Sequence, residues 1–307
     1  MTKLSDENRF HSISRRTLLG VTAAGAVGTV FPRCEARSDE EEGEINLLVR
    51  GDDLGAARSF NSASIECYES GIARSVEVLV PGPWFLDAAQ RLKKHPDLDV
   101  GVHLCLTSEW DAIKWRPLTS APSLVDADGY FHPRTSLGGK KPLAGSSGFL
   151  ESQPKLEEVE CELQAQIELL LKHLPRATHL SAHMGAALAT PPIKAITLAL
   201  AKKFSLRLEG EGTKTPLKHL GGVGSSQQSS EEKEQSLLDA LARLEPGNWL
   251  LVTHPAHDDA ETRGISHPGY ENVAADRDGI TKMLTSQRVK KAVAERKIRL
   301  ISYADLQ

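Results

Sequence analysis

Apolar positions along the chain fall into two rhythms: short continuous runs of strand length, and longer stretches stepped by three and four residues. The first run lies in Leu47-Leu48-Val49-Arg50-Gly51-Asp52-Asp53-Leu54-Gly55 and ends abruptly in two adjacent carboxylates and a glycine. It reads as a buried strand turning into a loop, with Ser59 or Asn61 placed to cap a helix over residues 60–70 that stops at Gly71. Six further strands are expected at 74–80, 98–106, 178–183, 205–208, 249–253 and 298–302. Helical spacing marks residues 84–94, 192–203, 231–244 and two stretches between 276 and 296. The clearest stripe is Leu156, Val159, Leu163, Ile167, Leu170 and Leu174, an amphipathic helix facing a core.

Strands alternating with helices call for parallel pairing through helical crossovers. Both an open doubly wound sheet and an irregular (β/α) barrel satisfy that rule. No Gly-x-Gly-x-x-Gly follows the first strand, which weighs against the dinucleotide-binding open sheet. The pattern is therefore an α/β single domain of about seven parallel strands spanning 45–307, either an irregular (β/α) barrel or an open sheet. Segments 107–154 and 210–230 break the rhythm with Gly, Pro and Ser. The first is long enough to be functional. Its Trp110 and Trp115 suggest a lid or a sugar-stacking platform, with buried loop hydrophobes the plainer alternative. Asp126-Ala127-Asp128-Gly129 lacks the other ligands of a calcium loop and reads as a turn.

Ahead of the domain, Arg15 and Arg16 directly precede a weakly apolar run over 18–31, the pattern of a twin-arginine export signal within 1–36. An acidic linker follows at 37–44, so a periplasmic or extracellular destination is expected. The apolar run is shorter than the roughly 20 residues a membrane span needs. A formal charge of −4 argues against nucleic acid as a partner. The four cysteines show no Cys-x-x-Cys pairing and read neither as a zinc ribbon nor as a disulfide framework.

Candidate chemistry collects at strand ends. Asp52 and Asp53 follow the first strand, His103 lies late in the third, His183 ends the fourth and His254 ends the sixth. In a parallel barrel these ends open on one face. Asp53, His103 and His183 make a three-ligand site for one divalent metal ion, with positions left for water and substrate. Such an ion polarises a carbonyl and acidifies water. Asp52 is placed to take the water's proton, and His254 to protonate a leaving amine. Cys105 shares a strand face with His103 and reads as a small core residue.

These residues resemble the YdjC-like carbohydrate deacetylases, relatives of polysaccharide deacetylases. The similar pieces are Gly51 to Gly55 with Asn61, Gly101-Val102-His103-Leu104-Cys105-Leu106-Thr107, Thr178 to His183, Ser123 to Phe131, and His254-Pro255, and Arg277 falls where a late arginine is expected to meet substrate. The resemblance implies a distorted (β/α) barrel that removes acetyl groups from N-acetylated sugars or oligosaccharides. It implies a metal on Asp53, His103 and His183, with Asp52 as base and His254 as acid. Magnesium is usual in the family, and zinc suits the donor set. A His-Gln-His run frequent in the family is replaced here by His183-Met184-Gly185. The rival classes are a non-catalytic sugar-binding protein on the same barrel and a metal hydrolase of another ester or amide.

Overall fold

Alternation along the first strand decides which way the sheet faces. The computed structural model describes residues 43–138, 147–211, 213 and 215–306, and the expected export signal and most of the linker lie outside them. In β1 (Ile45–Leu54), Leu47 and Val49 point to helices α5 (Ser230–Ala242), α6 (Val273–Thr285) and α7 (Gln287–Glu295), packing on Leu237, Leu241, Leu284 and Val289. Leu48, with the opposite parity, meets Leu250, Ile301 and Tyr303 on the inner side.

The neighbouring strands are β2 (Ser75–Val78), β3 (Asp99–Leu104), β4 (His179–Ala182) and β5 (Arg207–Leu208), with β6 (Leu217–His219) and β7 (Gly247–Thr253) on the other flank. Their hydrogen-bonded order is β5-β4-β3-β2-β1-β7-β6, and β8 (Arg299–Ile301) pairs with the N-terminal half of β1. Every pair is parallel. The expected irregular (β/α) barrel is the fold observed, one α/β domain with seven strands along the continuous path and β8 beside it. The strand that was not expected is β6, which lies inside the glycine- and serine-rich 210–230 segment and is only three residues long. Its pairing to β7 supplies the order that its composition does not.

Helices α1 (Arg58–Glu69), α2 (Phe85–Leu92), α3 (Leu156–His173) and α4 (Pro191–Lys203) cover the other flank. They bury Phe60, Ala88, Leu92, Leu163, Ile167, Leu170 and Ile193 against Val76, Val78, Val100, Val102 and Leu180. The cap expected for α1 is absent: Ala57 is the cap residue and offers no side-chain bond. Asn61 sits inside the helix, accepting from Gly55 N at 2.7 Å and donating to Trp84 O at 3.1 Å. The helix start is served instead by Glu261, which accepts from Ser59 N at 3.1 Å.

Across β2, β3 and β4 the outer faces are apolar and the inner faces hold the polar residues. Ser75 registers with Asp99, Glu77 with Gly101, Gly101 with His179 and His103 with Ser181. All of these side chains are buried. The loop from 107 onward is tied to the outside of the sheet: Glu162 accepts from Leu118 N and Thr119 N, and Gln166 bonds both Cys105 N and Cys105 O. Asp126 accepts from Asp128 N and Tyr130 N, closing the turn expected there.

Gly101 is the gap in the polar interior. A Cβ at that position would overlap both Glu77 Oε2 and His179 Nε2, two buried groups hydrogen-bonded to each other's side chains. Gly101→Ala should therefore destabilise the fold by about 1–3 kcal/mol through overpacking, read as a lower Tm. Gly264→Ala, where a Cβ meets nothing within 4 Å, should stay within about 0.5 kcal/mol of the parent. Equal melting of the two variants would contradict this account.

Candidate metal centre

The end of β1 bends so that two consecutive carboxylates serve one site. The register with β2 shifts between Gly51 and Leu54, and Asp53 adopts φ 70°, a left-handed conformation costly for a side-chain-bearing residue. Each carboxylate then has its own guanidinium, rather than sharing a cation between them. Arg50 binds Asp52 with two bonds, Nε to Oδ1 at 2.7 Å and Nη2 to Oδ2 at 3.0 Å. Arg277 Nη1 donates to Asp53 Oδ2 at 2.9 Å. Burial alone would raise the Asp53 pKa, but Arg277, His183 and the nearby His254 outweigh it and hold the carboxyl well below its usual range.

The other Asp53 oxygen, Oδ1, is buried and has no hydrogen-bond partner among the described residues. Facing it are His183 Nδ1 at 3.2 Å and His103 Nε2 at 3.7 Å. The three ligand atoms lie within 4.8 Å of one another. One carboxylate oxygen without a donor and two ring nitrogens converging on it fit a divalent cation.

His103 is set from behind. Ser181 Oγ donates to Glu77 Oε2, so it accepts from His103 Nδ1–H at 2.8 Å. The lone pair is thereby left on Nε2, which also lies 3.7 Å from Asp52 Oδ2. Burial and the neighbouring His183 push the His103 pKa well down, which favours the neutral ring a metal needs. His183 follows β4 and contacts Glu109 Oε2 through Nε2 at 2.9 Å. Burial lowers its pKa, and Glu109, with Cys105 and Asp53, more than reverses that in the absence of a cation.

One layer deeper, His179 donates from both ring nitrogens. Nε2–H goes to Glu77 Oε1 at 2.6 Å, and Nδ1–H goes to Thr178 Oγ1 at 2.8 Å, whose own proton goes to Asp99. Tyr303 stacks on this ring at 3.9 Å between centroids. Burial opposes charge on both partners, yet Glu77 raises the His179 pKa, and His179 with Arg50 lowers that of Glu77.

The remaining expected residues have definite places. His254 is half-buried directly after β7, and Pro255 packs beside Gly51. Arg277 lies between Phe60 and Trp110, 4.5 and 5.1 Å from the ring centres, so its guanidinium acts on Asp53. Trp110 is 2% exposed and stacks on His267. Trp115 is also 2% exposed, and its Nε1–H donates to Thr107 O at 2.8 Å. Neither ring has an open face for a sugar. Sequence reasoning missed Arg50, Glu77, Ser181 and Glu109. A charged residue in each of two otherwise apolar strand runs was the available signal for Arg50 and Glu77, and the i, i+2, i+4 series His179, Ser181, His183 for Ser181. Glu109 lies in an irregular loop and gave none.

Comparison with known proteins places these residues in context. The family model described as YdjC-like protein matches residues 46–295. A carbohydrate deacetylase of Thermus thermophilus is 34% identical over 262 residues, covering 75% of this chain and 89% of that protein. One of Enterococcus faecalis is 30% identical, covering 85% and 97%. A crystal structure from Enterococcus faecalis V583, described as that of a candidate cellobiose-phosphate cleavage protein, aligns with a TM-score of 0.67 at 29% identity, covering 85% and 98%.

The Glu77–His179 pair makes a prediction about pH. The lowered Glu77 pKa contributes stability that is present above its ordinary 4.5 and is lost as pH falls through the folded value. The raised His179 pKa contributes stability that is full below its ordinary 6.5 and is lost as pH rises through the folded value. Urea unfolding across pH 5.5–9 should therefore show a decline above about 6.5 that Glu77→Gln removes. That variant should also lose about 3–5 kcal/mol where the pair is charged. An alkaline slope unchanged in Glu77→Gln would dissociate the pair from stability.

Proposed function

The chain belongs to the YdjC-like family, and from that membership we propose that it is a divalent-metal-dependent hydrolase that removes acetyl groups from N-acetylated sugars or oligosaccharides. The observation that carries the reading is the convergence of His103 Nε2 and His183 Nδ1 on an Asp53 oxygen that is buried and otherwise unpartnered. The carbohydrate deacetylases among its relatives supply the substrate class.

In this reading Asp53, His103 and His183 hold the cation. When bound, it supplies positive charge that polarises the amide carbonyl and acidifies water. Asp52, locked by two hydrogen bonds from Arg50 and facing His103 Nε2, accepts the proton of the attacking water. His254 gives a proton to the sugar nitrogen as the C–N bond breaks, so acetate and a free amine leave. Arg277 keeps Asp53 ionised and oriented by its bond to Oδ2. The ion is magnesium or zinc, and the donor set of two imidazoles and one carboxylate favours zinc. We extend the proposal to location: Arg15 and Arg16 direct the folded chain across the cytoplasmic membrane. Among the described residues no helix is long and apolar enough to cross one.

The test is acetate release from N-acetylglucosamine oligomers by the domain, before and after chelation and with metals restored singly. Release that vanishes with chelator and returns with one metal is the expected result, and no release from the metal-loaded protein would overturn it. Asp52→Asn should lower turnover by about 10²–10⁴-fold with metal content intact, whereas full activity would remove Asp52 from the role of base. In cells of the host, replacing both Arg15 and Arg16 by Lys should retain the protein in the cytoplasm, and undiminished export would refute the signal.

A further inference from the structure

The two histidines of the cluster present opposite ring nitrogens. His103 offers Nε2 because Ser181 takes its Nδ1–H, and His183 offers Nδ1 because Nε2 lies 2.9 Å from Glu109 Oε2. Glu109 accepts the hydrogen on Nε2, and a cation against Asp53 Oδ1 would replace any hydrogen on Nδ1. We propose that Glu109 is the positioning residue that makes Nδ1 the metal-facing atom of His183. The inference rests on the cation site of the preceding section, although not on the substrate.

Two further observations bear on it. The Glu109 side chain is only 9% exposed, so its bond to His183 is shielded from competing water. Its charge also acts on Arg277, the residue holding the second Asp53 oxygen, so one carboxylate influences two of the groups around the cation. Ser181 and Glu77 orient His103 from inside the sheet, while Glu109 orients His183 from the loop after β3. That loop carries Trp115, whose ring lies 6.0 Å from His183, edge-on, with its N–H bound to Thr107 O. The start of this loop is thus joined to the cation site through Glu109.

The experiment is titration of chelator-treated domain with Co²⁺ and with Zn²⁺, following calorimetry and the visible cobalt spectrum. Glu109→Ala should weaken binding by about 10–100-fold and alter the cobalt bands. Glu109→Gln retains an acceptor oxygen and should recover much of the loss. In a His183→Ala background, Glu109→Ala should have no further effect, because the bond it supports is gone. Melting of metal-free Glu109→Ala close to that of the parent would separate positioning from general damage. Unchanged affinity in Glu109→Ala, or an equal loss in the His183→Ala background, would overturn the proposal. These readouts are independent of acetate release, so a protein that binds metal as described but cleaves no N-acetyl sugar would refute the proposed activity and leave this inference standing.

Discussion

A carboxylate or guanidinium taken out of water must be compensated where it lies, and in this protein that constraint falls first on Arg50. Its guanidinium reaches Asp52, Glu209 and the Tyr303 hydroxyl, and passes 4.0 Å from Glu77. No simpler arrangement serves the sheet interior, because Asp52, Glu77 and Asp99 all face it and all are buried. His179, protonated on both nitrogens, is the second cation of this enclosure. The polar interior is therefore one connected network rather than a set of independent pairs, and the geometry at the mouth inherits its precision from the layer beneath.

That inheritance explains how a strained residue can be tolerated at the site. Asp53 sits at φ 70° where the chain turns two neighbouring carboxylates toward His103. The conformation is held by Arg277, which is itself clamped between Phe60 and Trp110. Trp110 in turn stacks on His267 and packs against Tyr270, whose hydroxyl donates to Asp276. Trp110, which sequence reasoning placed at the substrate, thus lies behind Arg277, fixing it.

The strands, the helices and the convergence of Asp53, His103 and His183 were legible because their signals are local. Runs such as Leu47 to Val49 and stripes such as Val159, Leu163 and Ile167 announce strand and helix directly, and carboxylates or histidines at several strand ends announce a common face. What could not be read was set by partners far along the chain. Arg50 looked like an interruption in an apolar run, since its meaning depends on Asp52, Glu209 and Tyr303 together. β6 has no pattern of its own and exists through its pairing with β7. Asn61 has a capping residue's chemistry and yet serves Gly55 and Trp84, because close approach of two loops made those backbone groups available.

Tyr303 meets Arg50 across a sequence separation of 253 residues. Translation proceeds at about 5–20 residues per second, so on the order of tens of seconds pass between emergence of that arginine and emergence of the residues that complete its surroundings. Throughout that interval β1 exists with a charge in its middle that cannot yet be enclosed. The surroundings of Arg50 are therefore completed only when the closing turn arrives, so the polar interior reaches its final form late, after synthesis.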